Sequence, residues 1–112
     1  MYKPSSHIAT FYLAGFQHWD GAFALGSMKV GDILEMRPEP DNPFDPNAVA
    51  VYAGDMKLGY VPRDENELLA VMAAYGHLPI FQLRVLQVDA EADPWKQVRV
   101  ALHVLEAEKG AN

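Results

Sequence analysis

The chain has 112 residues, half of them hydrophobic and 21% charged, a balance that suits one globular domain over residues 1–112 and excludes a disordered or low-complexity chain. Nine Lys and Arg against fifteen Asp and Glu leave a formal charge of −6, the opposite of a broad duplex-binding surface. Cysteine is absent, which excludes disulfides, thiolate metal sites and thiol nucleophiles.

No window approaches the roughly 20 apolar residues of a membrane span, and the start lacks the apolar core of a secretion signal. A cytoplasmic location with no membrane contact is expected. In chain order, residues 7–16 form a β-branched and aromatic run that predicts a strand buried on most of both faces, ending at Gly15. Residues 17–31 are irregular, with a turn at Asp20-Gly21 and a helical turn over 22–25. A short strand follows over 33–37, then a hairpin of strands 48–53 and 57–61 joined by Gly54-Asp55.

Pro62 stops that ladder, and Asp64 with Glu67 predicts a capping-box-like start for a helix over 65–75, closed by Gly76. Leu68, Leu69, Val71, Met72 and Tyr75 are placed on one face of it. Long alternating strands over 80–88 and 97–105 complete the chain, joined by the loop 89–96, and the ends 1–6 and 106–112 are expected to fray. The order β-β-β-β-α-β-β fits a mainly β, α+β barrel better than a βαβ sheet.

The most informative segment is the turn that feeds the third strand. Pro40, Pro43 and Pro46 fix φ and restrict the residue before each, so this stretch is neither helix nor central strand. It is a stiff surface loop that gathers Asn42, Phe44, Asp45 and Asn47. Asn and Asp commonly bond their own backbone in such turns. The same residues also supply donors, an anionic acceptor and a stacking face.

Three segments carry a family signal: Gly15-Phe16-Gln17-His18-Trp19-Asp20-Gly21, then Asp41-Asn42-Pro43-Phe44-Asp45-Pro46-Asn47-Ala48-Val49-Ala50-Val51, then Lys57-Leu58-Gly59-Tyr60-Val61-Pro62-Arg63-Asp64-Glu65-Asn66. In this order and spacing they resemble the HIRAN domain family across about residues 8–105. The resemblance implies a modified OB-like, six-stranded β-barrel with one main helix between strands 4 and 5, and binding of single-stranded DNA at a free 3′ end. It carries the terminal-nucleotide pocket onto Gln17 and His18, onto Asn42, Phe44 and Asp45 in the turn, and onto Arg63 beyond Gly59-Tyr60. Gln17 stands where the eukaryotic relative has an arginine, and His18 and Phe44 stand where it has tyrosines.

The candidate nucleic-acid-binding set is therefore Gln17, His18, Trp19, Asn42, Phe44, Asp45, Tyr60 and Arg63. Asp45 would accept from a hydroxyl and repel a terminal phosphate, or else cap its own turn. Phe44, Trp19 and Trp95 offer π faces, with core packing the alternative for Trp19. Arg63 would grip a phosphate beside the helix N-terminus, or pair with surface carboxylates. His18 would contact phosphate or remain a solvated loop side chain, and Lys57 is a weaker phosphate candidate that reads first as a solvated edge-strand charge.

The histidines His7, His18, His77 and His103 have no metal-ligand spacing, and no catalytic motif is present; Asp41 and Asp45 are explained by turn chemistry. The expectation is a binding module, not an enzyme, without metal or cofactor. Its partner would be single-stranded DNA or a DNA 3′ end in a repair or processing context. The alternative is a protein-interaction module that recruits a DNA-processing protein.

Overall fold

The computed structural model describes residues 6–105, so the fraying expected at 1–5 and 106–112 lies outside the described residues. Ser6, expected to fray with them, is tied into the sheet. Its carbonyl accepts the Val104 N–H at 2.8 Å, and its hydroxyl meets His103 Nδ1 at 3.1 Å.

Six strands form one antiparallel sheet: β1 (His7–Tyr12), β2 (Ile33–Pro38), β3 (Val49–Ala53), β4 (Met56–Tyr60), β5 (Phe81–Val88) and β6 (Val98–Val104). Their spatial order is β1-β6-β5-β2-β3-β4. The alternation along β5 and β6 turns Phe81, Leu83, Val85, Val98, Val100 and Leu102 into one core with Val49, Val51 and Leu58. Burying each such side chain contributes about 1.5–3 kcal/mol, so this inner face, not the polar loops, holds the domain together.

The sheet curls until its two ends meet at a single bridge. Ala14 N–H donates to the Tyr60 carbonyl at 2.8 Å, and Tyr60 N–H donates back to Ala14 at 2.9 Å. The result is the OB-like, mainly β fold that was expected, with its main helix between β4 and β5.

Several local expectations need correction; β1, expected to be buried on most of both faces, buries Phe11 and leaves His7, Ile8 and Tyr12 exposed. The extended chain after β1 reaches only Ala14, because Gly15 adopts φ 68° and swings residues 16–18 into a 3-10 turn that buries Phe16. A short helix, α1 (Gly21–Ala24), follows where the helical turn was placed.

The main helix, α2 (Glu67–Ala74), starts after a separate 3-10 turn over Arg63–Glu65, and its N-cap residue is Asn66, with no side-chain cap bond. The Asp64 and Glu67 box therefore does not form. The helix is also rotated from the expected face: Leu69 is buried, whereas Leu68, Val71 and Tyr75 are exposed. Ala70, Ala73 and Ala74 border a gap of about 110 Å³ together with Pro38 at the end of β2 and Pro40 and Pro46 of the turn. At the other end, Gly76 N–H donates to Ala73 and His77 N–H to Met72, the paired Schellman bonds that the closing glycine anticipates.

Candidate functional site

The seam where the barrel closes opens into a cleft of about 550 Å³. Three segments wall it: the chain after β1, the proline turn, and β4 with the residues just beyond it. Trp19, Asn42, Phe44, Asp45, Tyr60 and Arg63 of the expected set all line it. Gln17 and His18 are exposed but do not line it, and neither does Trp95, whose 3-10 turn packs beside residues 16–18.

The turn holds its own shape by hydrogen bonds. Asn42 Oδ1 accepts the N–H groups of Phe44 and Asp45 at 2.9 and 3.2 Å, and Glu39 N–H donates to Ala48 at 2.8 Å to close the base. Asp45 Oδ1 accepts the Asn47 N–H at 2.9 Å, and Oδ2 accepts Asn66 Nδ2 at 2.9 Å. The carboxylate of Asp45, which lines the cleft, thus serves the turn with one bond on each oxygen and still has unfilled lone pairs. Asn47 N–H foremost, then Asn66, outweigh burial and, with Arg63, hold Asp45 below its ordinary 3.8. Arg63 Nη2 donates to the Phe44 carbonyl at 2.5 Å while Nε lies 3.7 Å from Asp45, and 73% of its side chain stays exposed.

Phe44 pays nothing to this network with its ring, which is 84% exposed. The ring is thereby left open on the cleft that it lines. Trp19 is half-exposed rather than core, and the Asp20 N–H bond to the Lys57 carbonyl at 2.8 Å pins its loop against β4.

Three polar lining residues stand outside the expected set: Glu39, Lys57 and Asn66. Lys57 is not a solvated edge charge. Its ammonium donates to Glu39 Oε2 at 2.9 Å and to the Tyr60 hydroxyl at 2.7 Å, and it stands 3.9 Å from the Trp19 ring centre. Tyr60 donates in turn to Glu39 Oε1 at 2.8 Å, and Asn42 Nδ2 donates to the same oxygen at 3.0 Å.

The cause of the miss is a bulge. Gly59 pairs with Val51 and Lys57 with Tyr52, so Leu58 is an extra residue in β4, which brings Lys57 and Tyr60 to one side although they are three apart. A glycine inside the strand pattern was the available signal for it.

Burial is the strongest single influence on the Glu39 carboxyl and opposes its charge, yet hydrogen bonds from Lys57, Asn42 and Tyr60 together hold it below its ordinary 4.5. Burial likewise opposes the Lys57 charge, and Tyr60 and Glu39 overcome it to raise the ammonium above its ordinary 10.5. Glu39 and Asp45 both titrate lower in the folded than in the unfolded chain. Their stabilisation is therefore complete above the unfolded values of 4.5 and 3.8 and is lost as pH falls through the folded ones. Urea midpoints should drop between neutral pH and about pH 3, and drop less in a Glu39→Gln protein. Parallel losses in both proteins would remove Glu39 from this account.

A curled OB-like sheet with an aromatic, mixed-charge cleft at its seam defines the class: a small β-barrel binding domain. The sequence matches the profile of the HIRAN domain over residues 8–105, and the chain belongs to the HIRAN domain family. That family is in general a nucleic-acid-binding module and is not catalytic on its own.

Among solved structures, a protein from Lactobacillus plantarum is similar at TM-score 0.73 and 25% identity, over 93% of this chain and 98% of that one. The HIRAN domain of human HLTF is similar in fold at TM-score 0.60 and 13% identity, over 88% of this chain and 76% of that one. No curated protein matches the chain. Among the described residues, no helix is long and apolar enough to cross a membrane.

Proposed function

We propose that the cleft captures the 3′-hydroxyl end of single-stranded DNA, in a repair or processing setting. The observation that carries this reading is the pairing of an open Phe44 ring with the ionised Asp45 on one rigid turn, beside Arg63. Phe44 and Trp19 stack unpaired bases, each stack being worth about 1–3 kcal/mol. Asp45 accepts the terminal hydroxyl on its unfilled lone pairs, and its charge repels a 3′-phosphate. Arg63 holds the backbone through the donors that Phe44 leaves unused.

The acidic total is compatible with this role because the cleft itself is balanced, with Lys57 and Arg63 set against Glu39 and Asp45. Binding is therefore driven by stacking and end chemistry, and only weakly by salt. Gln17 and His18 act on the approaching strand outside the cleft.

Fluorescence anisotropy with short oligonucleotides tests the reading. A 3′-hydroxyl end should bind about tenfold more tightly than a 3′-phosphate, roughly the cost of bringing one like charge against Asp45, and log affinity should fall with log salt by about 0.7 for each phosphate held. Equal affinity for the two ends, or no binding at low salt, would sink the proposal.

A further inference from the structure

The two cations that line the cleft are held very differently. Arg63 lies 3.7 Å from Asp45 with 73% of its side chain exposed. Lys57 is only 14% exposed, and its ammonium donates to Glu39 Oε2 at 2.9 Å and to the Tyr60 hydroxyl at 2.7 Å. Glu39 is the hub of this arrangement. Its Oε1 also accepts from Tyr60 and from Asn42, so one carboxylate is bonded both to the proline turn and to β4.

We propose that Glu39 is a specificity-determining residue: by holding the Lys57 ammonium it withholds a second phosphate-binding cation from the cleft, and so keeps the site selective for a 3′-hydroxyl over a 3′-phosphate end. The inference rests on the nucleic-acid reading of this cleft and deepens it. The sequence offers Lys57 as a lesser phosphate ligand and gives Glu39 no part; the structure joins the two.

The physical argument concerns what a phosphate must displace. Lys57 carries the right charge and lines the cleft, but it lacks freedom. A terminal phosphate that takes the ammonium separates it from Glu39, leaving a carboxylate that is only 26% exposed without its counterion and beside a second anion. The Tyr60 hydroxyl offers no substitute donor, because its one hydrogen is directed to Glu39. A hydroxyl end requires no cation, since it donates to Asp45. The penalty therefore falls on the phosphate end alone.

The test compares short oligonucleotides ending in 3′-hydroxyl or 3′-phosphate by fluorescence anisotropy. Glu39→Gln frees Lys57 and should raise 3′-phosphate affinity about tenfold, bringing the two ends to parity, and steepen the salt slope for that end by about 0.7. Adding Lys57→Met removes the freed cation and restores the parent's net charge, so the double variant should regain a preference of about tenfold for the hydroxyl end. A merely structural part for Glu39 predicts the opposite, because the double variant lacks more hydrogen bonds than the single one. A second arm needs no DNA. Acetic anhydride, read by peptide mass spectrometry, should label Lys57 of the parent more slowly than the exposed Lys29 and Lys96. Glu39→Gln should speed that labelling several-fold, and inorganic pyrophosphate should slow it again in this variant alone.

A Glu39→Gln protein that keeps the parent's preference, a folded double variant that does not regain it, or parent Lys57 that labels as fast as Lys29 overturns the inference. The last outcome needs no variant, so a Glu39→Gln protein that fails to fold does not shelter the idea. Absence of oligonucleotide binding in every protein overturns the nucleic-acid reading instead, and pyrophosphate protection of Lys57 then decides whether Glu39 keeps anions from it.

Discussion

Replacing Gly59 by alanine should cost about 3 kcal/mol or more, a large share of the stability of a domain this size. Gly59 sits at φ 152° in the β4 bulge, and a Cβ there would lie well inside the contact distance of the Ala14 carbonyl oxygen. That oxygen is the one that accepts the Tyr60 N–H in the bridge closing the barrel. Neither partner can give way cheaply. Moving Ala14 opens the seam, and moving β4 drags Leu58 from the core and Lys57 and Tyr60 from the cleft.

Gly54, in the β3–β4 hairpin, is the control. It also has positive φ, at 59°, but a Cβ there meets nothing within 4 Å. Its alanine variant should therefore carry only the left-handed backbone cost, about 1–2 kcal/mol. Thermal melts of the two proteins decide the matter, at about 4–8 °C for each kcal/mol. A Gly59→Ala protein no less stable than Gly54→Ala would show that the Ala14–Tyr60 bridge does not hold the barrel shut.

Truncating Phe44 should have the reverse profile. The ring is 84% exposed, so Phe44→Ala should leave stability within about 0.5 kcal/mol of the parent. Oligonucleotide affinity should fall about tenfold or more, the loss of one base stack. The backbone bonds of the turn run through Asn42, Asp45 and Arg63 and do not involve the ring, so the cleft keeps its shape in the variant. Anisotropy and a melt on the same sample separate binding from folding. Unchanged affinity would remove Phe44 from the site, whereas a large drop in melting temperature would mean that its ring supports the turn.

Much of the site was legible because its signals are local. Proline geometry announced a rigid turn, and the Asn-Pro-Phe-Asp run within it named three of the lining residues. The division of labour inside the turn was not legible. The side chains of Asn42 and Asp45 both spend hydrogen bonds on the loop while the Phe44 ring spends none, and whether an Asx residue bonds its own backbone or a visitor depends on which amides the folded chain brings within about 3 Å. Asn66 illustrates the same limit: placed inside the helix by the sequence pattern, it stands at the helix N-cap and braces Asp45 as a buried side chain, across 21 residues of sequence.

The helix α2 went wrong in an instructive way. Its large apolar residues formed the obvious stripe, yet of these Leu69 is the one buried, because the seating of the helix on the rest of the fold, not its own periodicity, selects the inner face.

By itself the amino-acid order determined the strands, the β3–β4 hairpin, the stiff corner and the closing glycine of α2, since alternation, fixed φ and turn chemistry act over a few residues. Only the tertiary structure decided that Lys57 and Tyr60 share a side, that Glu39 joins them, and that the Lys57 ammonium stands over the Trp19 ring. Those facts follow from a one-residue bulge and from the meeting of Ala14 with Tyr60, 46 positions apart in the chain. Contacts of that range are set by how far the whole sheet curls, which no short stretch of sequence encodes.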